Sequence, residues 1–241
     1  MPSKSFANFL IHLDDVTKLT EAHNLFSRGT RGRKQLGYIT RSGIVMLSAA
    51  WERYNEDLLL ECIKFIAHNI SDATVLPEDI RRTLSHRIKN DKHELKPIEL
   101  TGNGWKKVWF DYAQEKVLNL HNPKSVELDK LFKEYLGLDN PNYSKLWLKN
   151  SVLKVDKFIE TRGAVAHRGR DIDYVRFNFL QQQIELIRLN TIQIDSEIAN
   201  YLQNLTKVAH TPWDTVYQQT LQTFKKELKL QGLNLKKFLE D

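Results

Sequence analysis

Apolar residues recur at intervals of three and four along most of the chain, the spacing that places side chains on one face of an α-helix. The longest run is a single stripe, which predicts a long core helix; its members are Ile44, Leu47, Trp51, Tyr54, Leu58, Cys62, Phe65 and Ile66. A second run from Val175 to Leu205 predicts another long helix. No period-two run with hairpin turns stands out. The pattern therefore predicts an all-α fold, a helical bundle with two long core helices and short accessory helices.

Shorter segments show the same periodicity. They are Ser5–Phe26, Pro77–Lys89, Trp105–Leu120, Ser125–Leu136 and Asn150–Arg168. Pro77 suits the first turn of its helix, and Gly137 suits the residue that follows the end of a helix. We expect one helical domain over residues 1–208, with its core at about 40–205 and an N-terminal helix at 5–26. An amphipathic C-terminal tail follows at 209–241, which either packs on the body or binds a partner.

The amino-acid composition favours an acidic binding partner. The 241 residues include 36 Lys and Arg against 30 Asp and Glu, a net charge of +6 with a pI near 9.2. A basic balance of this kind favours nucleic acid. The one cysteine, Cys62, excludes an internal disulfide and a set of cysteine ligands, and its place in the apolar stripe is typical of a core thiol.

Targeting and membrane signals are not evident. No apolar run approaches the roughly 20 residues that span a bilayer, and the N-terminus lacks the hydrophobic stretch of a signal peptide. We therefore expect a soluble cytoplasmic protein without a membrane partner.

Common catalytic signatures are missing from the sequence. It has no nucleotide phosphate loop, no GxSxG elbow, no HExxH and no dinucleotide fingerprint. His86 and His93, with Glu94 adjacent, form a metal site only if one helix carries both; a solvated helix end is the alternative, and no metal or cofactor is expected. Trp105 and Trp109, four residues apart, either stack on nucleic-acid bases or belong to the core.

The segment from Arg162 to His167 carries candidate chemistry. At this spacing the second side chain is rotated about 140° and displaced about 7.5 Å along a helix, so the long arginine can bend back toward the imidazole. Gly163, Ala164 and Ala166 let another helix or a substrate approach closely. A guanidinium suits a phosphate, and an imidazole exchanges protons at neutral pH. The alternative is a cationic last turn, which the helix dipole favours.

Arg162-Gly-Ala-Val-Ala-His167, followed by Arg168 and Gly169, resembles the R-x4-6-H motif of the HEPN superfamily, and most closely its stand-alone prokaryotic RiboL-PSP type. Ser48–Leu58, with Glu52 directly after Trp51, is similar to the first core helix of those families. The resemblance implies a helical bundle that pairs about a two-fold axis and cleaves RNA without metal. Arg162 and His167 would then be catalytic, with one histidine of the homodimer acting as base and the other as acid.

The resemblance also suggests further site residues. Glu52 would orient Arg162 or His167, with Glu56 as the rival carboxylate; exposed charges on the polar side of the helix are the alternative. Arg168 and Arg170 are expected to contact RNA phosphates. The basic loop after the first helix could also reach the cleft, although solubility explains its charge equally well; its candidates are Arg28, Arg31, Arg33 and Lys34.

Two positions depart from the family pattern. Gly163 stands where active members often carry Asn, Asp or His, and Gly169 stands where a tyrosine marks a subgroup silenced by adenylylation. The leading hypothesis is a metal-independent endoribonuclease, acting as a toxin or phage-defence effector and restrained by an antitoxin or other regulatory protein. A catalytically silent HEPN module that binds RNA or a protein is the alternative. A third interpretation is an unrelated helical interaction protein with a chance motif.

Overall fold

The computed structural model describes residues 2–27, 36–168 and 175–213, without the side chain of Arg168. These residues form seven α-helices, three short 3-10 helices and no β-strand. The all-α prediction is confirmed. The α-helices are α1 (Lys4–Ser27), α2 (Gly37–Asn69), α3 (Glu78–Lys89), α4 (Gly104–Val117), α5 (Ser125–Leu136), α6 (Val152–Arg168) and α7 (Phe177–Thr206). The 3-10 helices are Ala73–Val75, Ile98–Leu100 and Tyr143–Leu146.

Most helix ends lie within a few residues of their predicted positions. Pro77 lies directly before α3 rather than inside its first turn, and α4 ends at Val117 rather than at Leu120. Gly137 follows α5 as expected: its φ is +73°, and the amides of Gly137 and Leu138 donate back into the last turn over 3.0 and 3.3 Å. The bond from Gly137 to the Lys133 carbonyl is that of the left-handed helix C-cap, and its left-handed residue explains the glycine.

The predicted C-terminal tail lies mostly outside the described residues, which end at 213. Helix α7 ends at Thr206, and Trp213 then lies buried against the same helix, where its indole N–H donates to the carbonyl oxygen of Asp195 over 2.9 Å. The proposed domain boundary at 208 stays a prediction.

Helix α2 is the central element of the bundle. It packs against α1, α4, α5, α6 and α7. The predicted apolar stripe is fully enclosed, apart from the partly buried Phe65. Cys62 lies inside this core, where burial raises the pKa of its thiol well above the ordinary value. The fully buried indole of Trp51 shows how closely the neighbouring elements pack on α2.

Pairs of contacts give the directions of the long helices. Ser5 of α1 bonds to Glu61 of α2, and the Phe9 ring lies 5.7 Å from the Tyr54 ring, so α1 and α2 are antiparallel. The Tyr54 hydroxyl donates to the carbonyl oxygen of Thr191, 137 positions later in the sequence. Gly43 of α2 approaches Leu180 of α7, which is also 137 positions later in the sequence. Because both pairs have the same separation, α2 and α7 run parallel.

Two carboxylates hold the beginning of α1. Glu61 accepts hydrogen bonds from the backbone N–H groups of Lys4 and Ser5, both over 2.9 Å. Asp195 accepts from the backbone N–H and the hydroxyl of Ser3. Burial raises the pKa of Asp195 to about 7, and the hydrogen bonds from Ser3 act in the opposite direction. The first turn of α1 is therefore tied to both α2 and α7.

Candidate functional site

Helix α6 carries both residues of the R-x4-H motif, and its first turn is fixed from inside the protein. The buried Asn190 of α7 accepts hydrogen bonds through Oδ1 from the Leu148 backbone N–H and the Ser151 hydroxyl, over 2.9 and 3.0 Å. Because these bonds precede the helix directly, they set where α6 starts relative to α7.

Arg162 continues the inward-facing stripe of α6. It follows Phe158 and Ile159 at steps of four and three, and both of those side chains are buried. Arg162 is accordingly half-buried, whereas His167, five positions further on, is exposed. The two motif residues therefore differ in environment: the Arg162 side chain is partly enclosed by the bundle, and the His167 side chain is at its surface.

The Arg162 guanidinium contains an unsatisfied donor. Its Nε is buried and has no hydrogen-bond acceptor among the described residues. A buried donor without an acceptor costs about 1–3 kcal/mol, more for a charged group, so such a group is normally satisfied by water or an anion. Arginine pairs with phosphate oxygens through charge-assisted hydrogen bonds. The side chain is thus equipped to accept an anionic ligand.

Glu52 of α2 lies near Arg162. Burial raises the pKa of Glu52, and the positive charge of Arg162 acts in the opposite direction. Glu52 is half-buried and within range of the Arg162 charge on α6, so it is not a freely exposed charge on the polar side of the helix. The structure therefore brings together the arginine and the acid that were singled out in the sequence, while their catalytic roles stay predictions.

Glu56, the rival carboxylate, lies one turn further along α2. Burial raises its pKa to about 7, and the negative charge of Glu52 contributes in the same direction. The Arg53 guanidinium, 3.6 Å away, opposes that rise. A carboxyl that is close to half-protonated at neutral pH can hold or release a proton. Glu52 and Glu56 therefore form a coupled acidic pair on one helix face.

The charge of His121, which the sequence patterns do not single out, also acts on Glu52. This histidine lies in the connection between α4 and α5, is exposed, and acts on Glu52 as Arg162 does, lowering the pKa of that carboxylate. A histidine in a polar connection 31 residues before α6 carries no motif signal. Only the packing of the connection on α2 and α6 brings its charge within range of Glu52.

Other predicted site residues lie elsewhere. Trp105 and Trp109 are buried and stack on each other with ring centres 6.2 Å apart, so they belong to the core rather than to a base-stacking surface. The Arg168 side chain, Arg170 and the basic loop at 28–34 lie outside the described residues, and their RNA contacts stay predictions.

The metal alternative is not supported. Helix α3 ends at Lys89, so His86 and His93 do not share one helix. Among the described residues, no group of three or more His, Cys, Asp or Glu side chains is arranged to hold a metal ion.

The helical bundle, with an arginine and a histidine near the end of one helix and a carboxylate on the helix beside them, defines a protein of the HEPN class. The family model RiboL-PSP-HEPN matches residues 11–211, and the chain belongs to that family. No curated protein and no solved structure matches significantly. HEPN proteins are commonly ribonucleases, so membership indicates a nuclease or RNA-related function. Within the described ranges, no helix is long and apolar enough to cross a membrane.

Proposed function

We propose that the protein is a metal-independent endoribonuclease that cleaves RNA by attack of the ribose 2′-hydroxyl. The observation that carries this proposal is the buried Arg162 Nε, which lacks an acceptor among the described residues and lies near Glu52. An RNA phosphate supplies the missing acceptor. The exposed His167, on the same helix, is accessible to a polymeric substrate. Family membership supports RNA as the substrate.

The reaction needs no resident metal. A base removes the 2′-hydroxyl proton, the 2′-oxygen attacks phosphorus, and the bond from phosphorus to the 5′-oxygen breaks. An acid protonates that leaving oxygen, so the products end in a 2′,3′-cyclic phosphate and a 5′-hydroxyl. His167 serves as one of these proton-transfer groups. Arg162 stabilises the negative charge that grows on the phosphoryl oxygens, and Glu52 orients the guanidinium.

Wild-type protein and two variants, His167→Ala and Arg162→Ala, test the proposal on mixed RNA in excess EDTA. We expect the wild type to produce fragments with 2′,3′-cyclic phosphate ends and both variants to lose at least about a hundredfold in rate. His93→Ala is the matched control, because this exposed histidine lies in the turn after α3. Loss of activity in the control but not in His167→Ala would contradict the proposal.

A homodimer is part of the same proposal. Two chains related by a two-fold axis would place two copies of Arg162 and His167 in one cleft. Light scattering on the purified protein tests this point separately from cleavage. A strict monomer that still cuts RNA would show that one chain holds every group the reaction needs.

A second candidate function rests on Gly163. This position has no side chain, and a Cβ built there meets no atom within 4 Å outside its own helix. The space is compatible with a silent module that binds RNA or a protein without cutting. Intact RNA that nevertheless binds wild-type protein, and binds Arg162→Ala more weakly, would favour this candidate over the nuclease.

The biological role we propose is that of a toxin or phage-defence effector, held in check by an antitoxin or another regulatory protein. Expression in a host cell tests it: the wild type should slow growth, and His167→Ala should not. Equal growth with both proteins, at equal expression, would contradict a toxic role.

A further inference from the structure

Helix α3 is amphipathic, and its solvent-facing side is basic. Ile80 and Leu84 are buried, and α3 packs mainly against α5. The exposed residues on the opposite side recur at the helical spacing; they are Glu78, Arg81, Arg82, Ser85, His86 and Lys89. After Glu78, every ionisable group on this side is basic. We call these six residues the basic face of α3.

The basic face borders a groove. Its six residues line a hollow of about 490 Å³. Arg82 and His86 also line an adjoining cavity of about 690 Å³, which residues of α4 and α5 complete. Because the two hollows share these residues, they form one groove along the helix. From Arg81 to Lys89 a helix rises about 12 Å, so the groove is long enough to follow a stretch of extended chain.

Three cations of the basic face are available to an anionic ligand. Arg82 pairs with Glu78 over 2.6 Å, but both side chains are exposed, and such a pair is weak enough to exchange for another anion. Lys89 has no acidic partner among the described residues. Arg81 is held in place by the bond from its Nε to the Leu76 carbonyl oxygen over 3.0 Å.

The acids of the adjoining cavity lie away from the basic face. Glu115 of α4 is neutralised by Arg87 over 2.5 Å, and Asp91 accepts from the Tyr112 hydroxyl over 2.6 Å. Glu134 belongs to α5. A polyanion in the groove is therefore repelled from the α4 and α5 side and directed toward α3.

The groove presents charge rather than an open aromatic ring. Tyr112 is buried, and the Arg87 guanidinium and the Lys96 ammonium lie 4.5 and 5.6 Å from its ring centre. Tyr135 is also buried, and its hydroxyl accepts from Arg87 over 2.9 Å. Stacking of a nucleic-acid base requires an accessible ring face. The groove therefore suits phosphates and does not read bases.

We propose that the basic face of α3 is a second RNA-binding surface, which holds the phosphate backbone of the substrate through Arg81, Arg82 and Lys89. The choice of RNA as the polyanion rests on the proposed nuclease function. The candidate site lies on α2 and α6, whereas α3 packs mainly against α5, so the basic face contributes affinity and takes no part in the chemical step. Contacts to phosphates alone give binding that is strongly salt-dependent and independent of sequence.

The test compares the wild type with the double variant Arg82→Gln/Lys89→Gln, which removes two exposed charges and keeps a good helix former at both positions. Lys18→Gln/Lys107→Gln is the matched control, because it removes two charges from exposed positions outside the groove. Unfolding curves check that both variants are folded. Binding is measured by fluorescence anisotropy with 2′-O-methyl RNA, which lacks the attacking hydroxyl and cannot be cut.

Each lost phosphate contact should weaken binding about fivefold at about 0.1 M salt, so the α3 variant should bind about 25-fold more weakly than the wild type. The slope of log affinity against log salt should become shallower by about 1.4. The control should lose less than about twofold, because exposed charges outside the contact are screened. On ordinary RNA in excess EDTA, the α3 variant should raise KM and leave kcat unchanged.

The possible results separate this surface from the nuclease proposal. If the wild type cuts RNA but the α3 variant binds 2′-O-methyl RNA as tightly as the wild type, the surface is refuted and the nuclease proposal stands. If only the α3 variant binds weakly but the wild type cuts nothing, the nuclease proposal fails and the surface stands. Equal weakening in variant and control, or a fall in kcat alone, overturns the surface. A wild type that binds no RNA overturns it as well.

Discussion

Substitution of Gly163 by alanine tests whether the space beside the R-x4-H motif is open. The position lies inside α6, and a Cβ built on its backbone meets no atom within 4 Å outside the helix itself. Glycine in a helix interior is less favourable than alanine by about 0.8–1.0 kcal/mol, because it loses more backbone freedom on folding. Gly163 is five residues from the described end of α6, where a residue loses less backbone freedom on folding than in the middle of a helix.

We therefore expect Gly163→Ala to raise the free energy of unfolding by about 0.5–1 kcal/mol. For a chain of this size the melting temperature should rise by about 1–4 °C. Urea denaturation followed by circular dichroism measures the first quantity, and calorimetry measures the second. Both should be repeated over a tenfold range of protein concentration, since a dimer contact at this position would make the effect depend on concentration.

Gly137→Ala is the matched control with the opposite expected sign. Its φ of +73° is in the left-handed region, and a Cβ there would lie 2.5 Å from Pro77 Cβ. It should lose at least about 1 kcal/mol of stability. If Gly163→Ala also loses stability, another atom occupies the space around this position, and the space is not open.

Two further predictions concern stability. Asp195 has a pKa of about 7 in the folded protein against an ordinary 3.8, so the folded state binds its proton more tightly and stability falls as pH rises between these values. In Asp195→Asn, the free energy of unfolding should fall by about 1–3 kcal/mol less between pH 5 and 8 than in the wild type, as measured by urea unfolding at each pH. An identical pH dependence of stability in the two proteins would contradict the raised pKa of Asp195. Trp51→Phe loses the buried hydrogen bond to Pro123 and should cost about 1–3 kcal/mol. It should also increase amide hydrogen exchange in the α4–α5 connection, and unchanged exchange there would show that this bond does not anchor the connection.

The helices could be predicted because their signals are local. Spacing of three and four places apolar groups on one face whatever else the chain does, and Gly137 ends α5 through its own backbone geometry. The stripe from Ile44 to Ile66 therefore indicates a buried helix by itself. The spacing and the family motif likewise mark Arg162 and His167.

The environment of the site depended on the tertiary structure. The parallel packing of α2 and α7 joins residues 137 positions apart, and no local pattern encodes such a pairing. Glu52 interacts with the charge of Arg162 because α2 and α6 pack together. Charge interactions and burial depend on distance in space, so only the folded chain decides which ionisable groups lie close to one another.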